Sequence, residues 1–290
     1  MSSENLSLKI MTNPRSILKK FEVRPLKRLG QSFLADRNIT AKIVAISDVK
    51  SDDIVVEIGA GLGLMTAMIA GEAGKVIALE IDKQMVDILR KELKNLSNVE
   101  IVQTDVLRYD FSSACLECPS GKLKVIGNIP YGISSQILFR LIEFRDYISQ
   151  ATLMFQKEAA ERIVASPGTK KYGIPSVIAS MYTKPSLEMT APADCFYPKP
   201  KVDSCVLRMT VRERPMFDIK NPDFFLKVVK TAFSKRRKTL LNNLKNSDLL
   251  NLSEKDIAGV LELLGIDGGR RGETLTAEEF CELSNALNPA

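Results

Sequence analysis

The sequence predicts an α/β fold: a doubly wound, mostly parallel sheet with an antiparallel pair at its edge, followed by a small all-helical domain. Three observations carry this. Short apolar runs alternate with amphipathic stretches from about residue 54 to residue 165, and parallel strands joined in this way need crossover helices on both faces. After Met181 two strand-like stretches follow one another across a proline-rich loop, without a crossover helix. Beyond about Arg212 only helical periodicities remain. The expected borders are an arm over 1–23, a sheet domain over 24–211 and a helical domain over 212–290.

Taken in order, the first 23 residues show no sustained periodicity and read as a mobile basic arm. From Asp36 to Val49 the apolar residues Ile39, Ile43, Val44 and Ile46 recur at helical spacing, with Asp36 placed to cap. Ile54–Ile58 is a buried strand that runs into glycines. The alternation continues with helix Leu64–Ala70, strand Lys75–Glu80, helix Lys83–Leu93 and strands Val99–Gln103 and Leu123–Gly127. Helix Ser134–Phe144, strand Ala151–Gln156 and helix Lys157–Ala165 complete it. Tyr172–Met181 reads as helix, and Ser186–Thr190 and Ser204–Val211 as the edge pair around Phe196-Tyr197-Pro198-Lys199-Pro200-Lys201. The helical stretches are Asp223–Phe233, Lys238–Leu244, Ser253–Leu264 and Ala277–Leu287. Ser253 with Asp256 comes close to a capping box, and Gly265 supplies a stop.

Composition narrows the chemistry. At 290 residues the chain supports about two domains and buries enough surface to need no staples. It has no histidine, which excludes Ser-His-Asp and Cys-His nucleophiles, HExxH zinc sites and imidazole acid–base work. With no tryptophan, any aromatic stacking comes from Tyr or Phe. Five scattered cysteines include one CxxC, Cys115 and Cys118; a structural zinc needs four ligands, so no metal is expected and free thiols in a reducing cytosol are. No run of 18 apolar residues is present, so no membrane contact is expected. The N-terminus lacks a secretory apolar core, while its basic character leaves an organelle address open. Net charge is +6, which fits an anionic partner or a solvated basic surface equally. Its distribution is uneven: residues 1–30 hold Lys9, Arg15, Lys19, Lys20, Arg24, Lys27 and Arg28 against Glu4 and Glu22. Residues 227–245 hold seven cations and no acid, with Lys235, Arg236, Arg237 and Lys238 consecutive.

The chemistry-bearing residues fall at strand ends. Ile54–Ile58 leads into Gly59-Ala60-Gly61-Leu62-Gly63, where Gly59 permits a tight turn and Gly61 and Gly63 let a ligand lie against backbone. A tight structural turn would use the same residues. Glu80 ends the second strand 21 residues past Gly59, where an acid meets ribose hydroxyls in nucleotide sites. Asp105 ends the third strand and can accept from an exocyclic amine. No phosphate-cradling GxxxxGK[ST] is present, so the site suits an adenosine with a small tail: S-adenosylmethionine fits, NAD less well. The fourth strand ends in Gly127-Asn128-Ile129-Pro130-Tyr131. Asn128 offers an amide oxygen, the Pro130 turn presents a backbone carbonyl beside it, and Tyr131 supplies a flat face. Two acceptors holding the N–H groups of an adenine amine would favour a pyramidal nitrogen and aim its lone pair at a methyl sulfonium. An Asn-Pro turn that merely closes a strand is the alternative.

Leu29–Leu34 (LGQSFL), Glu57–Gly63, Glu80, Asp105, Asn128–Tyr131 and Phe196–Ser204 occur in the order found in the KsgA family, and from Arg24 to Leu287 the chain resembles that family. Ala232–Leu240 (AFSKRRKTL) and Gly265-Ile266-Asp267 resemble its C-terminal signatures. The resemblance implies a Rossmann-like class I methyltransferase sheet and a helical RNA-binding domain. It implies S-adenosylmethionine-dependent N6,N6-dimethylation of two adjacent adenosines in a hairpin loop near the 3′ end of small-subunit rRNA, by a cytoplasmic monomer during ribosome assembly. By the same resemblance Gln31, Ser32, Leu34, Gly59, Gly61, Glu80, Ile81, Asp105, Val106 and Asn128 line the cofactor site. Asn128, Ile129, Pro130, Tyr131 and Phe196 hold the target adenine, with Tyr131 and Phe196 as a sandwich, and Lys235–Lys238 grip RNA phosphates. Ser32 departs from the Asn or His usual in the family, and Tyr197 and Lys199 replace smaller residues or proline. Rival readings are a macrolide-resistance-type methylase of large-subunit rRNA, a DNA or protein amine methylase, and a non-catalytic assembly or transcription factor on the same fold.

Overall fold

The computed structural model describes residues 13–26, 29–119, 121–247, 249–250 and 252–288. Glu4 and Lys9 of the basic arm, and Lys27 and Arg28 beyond it, lie outside them. Two compact units are present. The first comprises the described residues through Ala160 together with Ser186–Val211, and the second Glu161–Pro185 with the described residues from Arg212 on. A single border near residue 211 is therefore too simple, because Glu161–Pro185 packs with the C-terminal helices.

The first unit is built on β2 (Ile54–Ile58), β3 (Lys75–Glu80), β4 (Val99–Gln103), β5 (Leu123–Asn128), β6 (Ile148–Gln156), β7 (Thr183–Ala191) and β9 (Ser204–Val211), in the spatial order β4-β3-β2-β5-β6-β9-β7. Strands β4 to β6 pair in parallel and β9 runs antiparallel to β6. All five residues of β2 are buried, as expected of a strand covered on both faces. The covering helices α2 (Arg37–Ile46), α3 (Leu64–Ala70), α4 (Lys83–Glu92) and α6 (Ser134–Glu143) fall where the periodicities placed them. Asp36 caps α2 by accepting from the amides of Asn38 and Ile39. Asp82 caps α4 by accepting from the amide of Gln84. The helices α5 (Phe111–Cys115) and α7 (Lys157–Ile163) are short. A small second sheet pairs β1 (Phe33–Leu34) with β8 (Phe196–Tyr197) in antiparallel register, Phe33 opposite Tyr197 and Leu34 opposite Phe196.

The arm differs from expectation. Pro14–Lys20 forms a helix, α1, capped by Asn13. Its Ile17 and Leu18 are buried against Phe33, Leu62, Met85 and Ile88. The Arg15 guanidinium sits 4.8 Å over the Tyr197 ring. Seven residues are too few to show a sustained period, so only packing reveals this helix.

In the second unit, α8 (Ile174–Tyr182), α9 (Pro222–Ala232), α10 (Leu240–Lys245), α11 (Glu254–Leu263) and α12 (Ala277–Leu287) share a core. Its aromatic spine runs from Tyr172 to Phe233, 6.0 Å between centroids, and from Phe233 to Phe280, 5.7 Å. Ser253 caps α11 through the amide of Asp256, and Gly265 follows α11 at φ 67°, the left-handed stop expected of it. Among the described residues, no helix is long and apolar enough to cross a membrane.

One glycine limits how closely the central strands can pair. A Cβ on Gly127 of β5 would stand 2.6 Å from the carbonyl oxygen of Ile58 on β2. Gly127→Ala is expected to push the two strands apart and to cost roughly 1–3 kcal/mol, as overpacking does. Urea unfolding would show this as a lower midpoint with an unchanged slope.

Candidate active site

The parallel register brings the strand ends level. Ile58 pairs with both Leu79 and Gly127, and Glu80 pairs with Gln103. The residues that follow each strand therefore meet along one edge of the sheet, the edge at which open α/β folds bind ligands. They surround an open cleft.

Most of the expected cofactor residues line it: Gln31, Ser32, Gly59, Gly61, Glu80, Ile81, Asp105, Val106 and Asn128. The Glu80 carboxylate is buried, and burial pushes its pKa above the usual value. Three backbone amides oppose that: Gly61 donates to Oε2 at 3.0 Å, and Ile81 and Asp82 donate to Oε1 at 2.9 Å. The turn that supplies Gly61 needs glycine, since Gly59, Gly61 and Gly63 all have positive φ. Asp105 uses Oδ1 to accept from the amide of Leu107, which leaves Oδ2 open. Among the described lining residues there are two carboxylates and no Lys or Arg. Such a lining suits a cationic adenosine derivative and offers no side-chain cation to a phosphate, so the site fits S-adenosylmethionine better than a dinucleotide.

Asn128, Ile129, Pro130 and Tyr131 form the opposite wall. Asn128 Nδ2 donates to the Ser32 carbonyl at 2.9 Å, which turns Oδ1 into the free acceptor. The Pro130 carbonyl is not free: it accepts from the amide of Ile133 at 3.2 Å, closing the short turn Tyr131–Ile133. The Ile129 carbonyl accepts from no described residue and is the backbone acceptor beside Asn128. The departure at Ser32 matters little to this wall, because the contact to Asn128 comes from its backbone. Its own hydroxyl donates to the Pro198 carbonyl at 2.9 Å.

Two expected residues are not brought in. Phe196 is 4% exposed and packs in the core with Leu34, Ile43, Val44, Met154 and Val206. The Tyr131–Phe196 sandwich is therefore not formed. Alternation along β8 sends Phe196 inward and Tyr197 toward α1, and an apolar ring gains more from burial than from facing a wet cleft. Leu34 shares this core and lines a smaller adjoining cavity.

In the helical unit, Lys235, Arg236, Arg237 and Lys238 are all exposed on the turn between α9 and α10. They are not equivalent. Arg236 Nε pairs with Glu273 at 2.7 Å, and its guanidinium also donates to the Lys170 carbonyl. Lys235, Arg237 and Lys238 carry no ion pair among the described residues.

Comparison with known proteins gives this arrangement a family. A family model described as "Ribosomal RNA adenine dimethylase" matches residues 24–288. The chain belongs to the ribosomal RNA adenine dimethylase family. It is 46% identical over 278 residues to "Ribosomal RNA small subunit methyltransferase A" of Syntrophus aciditrophicus, covering 96% of this chain and 99% of that one. It is 42% identical over 274 residues to the protein of the same name from Alkaliphilus metalliredigens, covering 94% and 95%. Among solved structures it is similar to a dimethyladenosine transferase from Plasmodium falciparum, with a TM-score of 0.75, 30% identity, and 87% of this chain and 95% of that chain covered. It is also similar to the 23S rRNA methyltransferase ErmE, with a TM-score of 0.64, 26% identity, and 88% and 99% covered.

Sequence reasoning passed over several residues of this dimethylase site. Leu29, Gly30, Phe33, Thr104 and Ile133 line the cleft; the first three lie within the LGQSFL stretch, Thr104 precedes Asp105 and Ile133 lies two residues past Tyr131, which is the signal that could have found them. Glu57 stood inside the glycine motif without a role. It is buried, and among the described residues neither its Oε2 nor the buried hydroxyl of Thr66 has a hydrogen-bond partner. Burial pushes the Glu57 carboxyl up to about 7, and nearby Glu80 pushes it further up. A carboxyl raised in the folded state stabilises the fold below its unfolded value near 4.5. That stability is lost as pH rises through about 7. Glu57→Gln is expected to abolish this decline, with a gain on the order of 2–3 kcal/mol above pH 8. Melting curves for both proteins between pH 4 and pH 9 would check it; parallel profiles would contradict it.

Proposed function

We propose that the protein transfers methyl groups from S-adenosylmethionine to N6 of two adjacent adenosines in a hairpin loop near the 3′ end of small-subunit rRNA, dimethylating each as the subunit assembles. The observation that carries this reading is the cleft itself. Among the described residues, a lining with two carboxylates and no cation adjoins Asn128 Oδ1 and the Ile129 carbonyl, two acceptors with no donor. S-adenosylmethionine, when bound, supplies an electrophilic methyl on a sulfonium. Glu80 would hold ribose hydroxyls, and Asp105 Oδ2 an exocyclic amine. Asn128 Oδ1 and the Ile129 carbonyl would accept the two N–H groups of the target amine and orient its lone pair. Tyr131 would supply the stacking face, a contact worth about 1–3 kcal/mol. Water can take the proton from the cationic amine after transfer, so the absence of histidine is no obstacle. The target base has to leave its stack to reach such a wall.

The similarity to ErmE keeps a large-subunit target in view, since the sheet-edge motifs serve both. The small-subunit reading is favoured by the relatives at 46% and 42% identity, aligned over nearly the whole chain, and by the Phe233–Leu240 and Gly265–Asp267 segments. Incubation with labelled S-adenosylmethionine and undermethylated small or large subunits, followed by nucleoside analysis, tests it. Dimethyladenosine only in the large subunit would reverse the assignment.

Asn128→Ala is expected to lower kcat by on the order of 10²–10³, the cost of removing one preorganised polar contact in well-studied enzymes. Cofactor affinity should change little, which calorimetry with S-adenosylhomocysteine would show.

The turn at Lys235–Lys238 would bind RNA phosphates, positioning without reading sequence. Reversing Lys235, Arg237 and Lys238 to Glu should weaken RNA binding and reduce the log–log salt slope by about 0.7–0.9 per lost contact. Arg236→Glu should act mainly on melting temperature, because that side chain is bonded to Glu273. RNA titrations at several salt concentrations separate the two effects.

A further inference from the structure

The Phe196–Ser204 loop enters the functional reading through Phe196, yet the structure sends Phe196 into the core. The last residue of this loop reaches the Tyr131 side of the cleft wall. Ser204 Oγ lies 3.1 Å from the Tyr131 hydroxyl. Ser204 is 0% exposed, and among the described residues that hydroxyl has no other partner.

The sheet determines this contact. Asn128 ends β5 opposite Met154 of β6, and the Ile129 amide donates to the Met154 carbonyl. Two residues further along β6, Gln156 pairs with Ser204, the first residue of β9. The segment carrying Tyr131 therefore leaves β5, crosses the end of β6 and meets β9. The Tyr131 ring is held at both ends. Its backbone is fixed by the Pro130–Ile133 turn and by the Ser134 hydroxyl, which donates to the Tyr131 carbonyl at 3.2 Å. Its hydroxyl is fixed by Ser204.

For stacking alone, phenylalanine would serve as well and would bury no polar group. A half-buried phenol is costly unless bonded. If the Tyr131 hydroxyl turned to substrate instead, the Ser204 hydroxyl would be left buried and unpaired, at a comparable cost. We propose that Ser204 is a positioning residue. It tethers the Tyr131 hydroxyl and so fixes the plane of the ring against which the target adenine lies. The inference rests on the reading of this wall as the adenine site.

The test compares Ser204→Ala, Tyr131→Phe and the double variant in the full-length protein, with undermethylated small subunits as substrate. Each single variant should lower kcat roughly three- to tenfold, the span of one net hydrogen bond. The double should be no slower than either single, because both remove the same bond. Affinity for S-adenosylhomocysteine should stay within about twofold. A hairpin carrying 2-aminopurine at the target position should bind the wild type with quenched fluorescence, and both singles with less quenching. A purely structural role for Ser204 would move the melting temperature and give losses that multiply in the double variant; that result overturns the proposal. So does a Ser204→Ala protein with wild-type kcat and quenching. Tyr131→Phe leaves the buried serine in place and keeps the test decisive if Ser204→Ala fails to fold. A wild type that methylates no adenosine overturns the functional reading, and this inference with it.

Discussion

The parallel register of β2 with β3 and β5 is the constraint on which the rest depends. Because Ile58 stands level with both Leu79 and Gly127, the glycine turn, Glu80 and Asn128 emerge side by side. They belong to segments some 70 residues apart in the chain. A slip of one residue would send each strand's inward side chains to the other face and carry these groups out of line. Gly127 makes the close pairing sterically possible, and its neighbour Asn128 gains its place from it.

A protein of net charge +6 presents an anionic lining in the cleft at its sheet edge. Exposed cations stand on α1 and on the turn between α9 and α10, while Glu57, Glu80 and Asp105 gather at the sheet edge. Burial opposes that gathering, as the raised pKa values of Glu57 and Glu80 show. The three amides on Glu80 compensate with fixed dipoles rather than with a lysine or arginine. A neutralising cation would repel a sulfonium; backbone N–H groups stabilise the carboxylate and leave its charge available.

The short Leu29–Leu34 segment joins the two walls. The Leu26 amide donates to Gln31 Oε1, Gln31 Nε2 donates to the Asp82 carboxylate beside Glu80, and the Ser32 carbonyl receives Asn128 Nδ2. One stretch of backbone thus orients groups on both sides of the cleft. The bond to Asn128 uses no side-chain atom of Ser32, so a serine at this position leaves that contact intact.

The sequence by itself determined the layered architecture, since a period of two in buried strands and 3.6 in their crossover helices leaves few other packings. It also determined which groups stand at the strand ends, because a glycine turn, Glu80, Asp105 and Asn128–Tyr131 are local patterns whose placement follows once the strands are parallel. Only the tertiary structure decided the remainder. Whether Phe196 faces ligand or core depends on the alternation of a two-residue strand whose partner lies some 160 residues away. Whether Pro14–Lys20 is an arm or a helix depends on an apolar surface supplied by Phe33, Leu62 and Met85. Arg236 differs from its neighbours because Glu273 and the Lys170 carbonyl come within reach, and Ser204 gains a role because β9 pairs antiparallel with β6. Each is set by a contact distant in sequence, where competing burial and pairing energies decide the outcome and no local pattern records it.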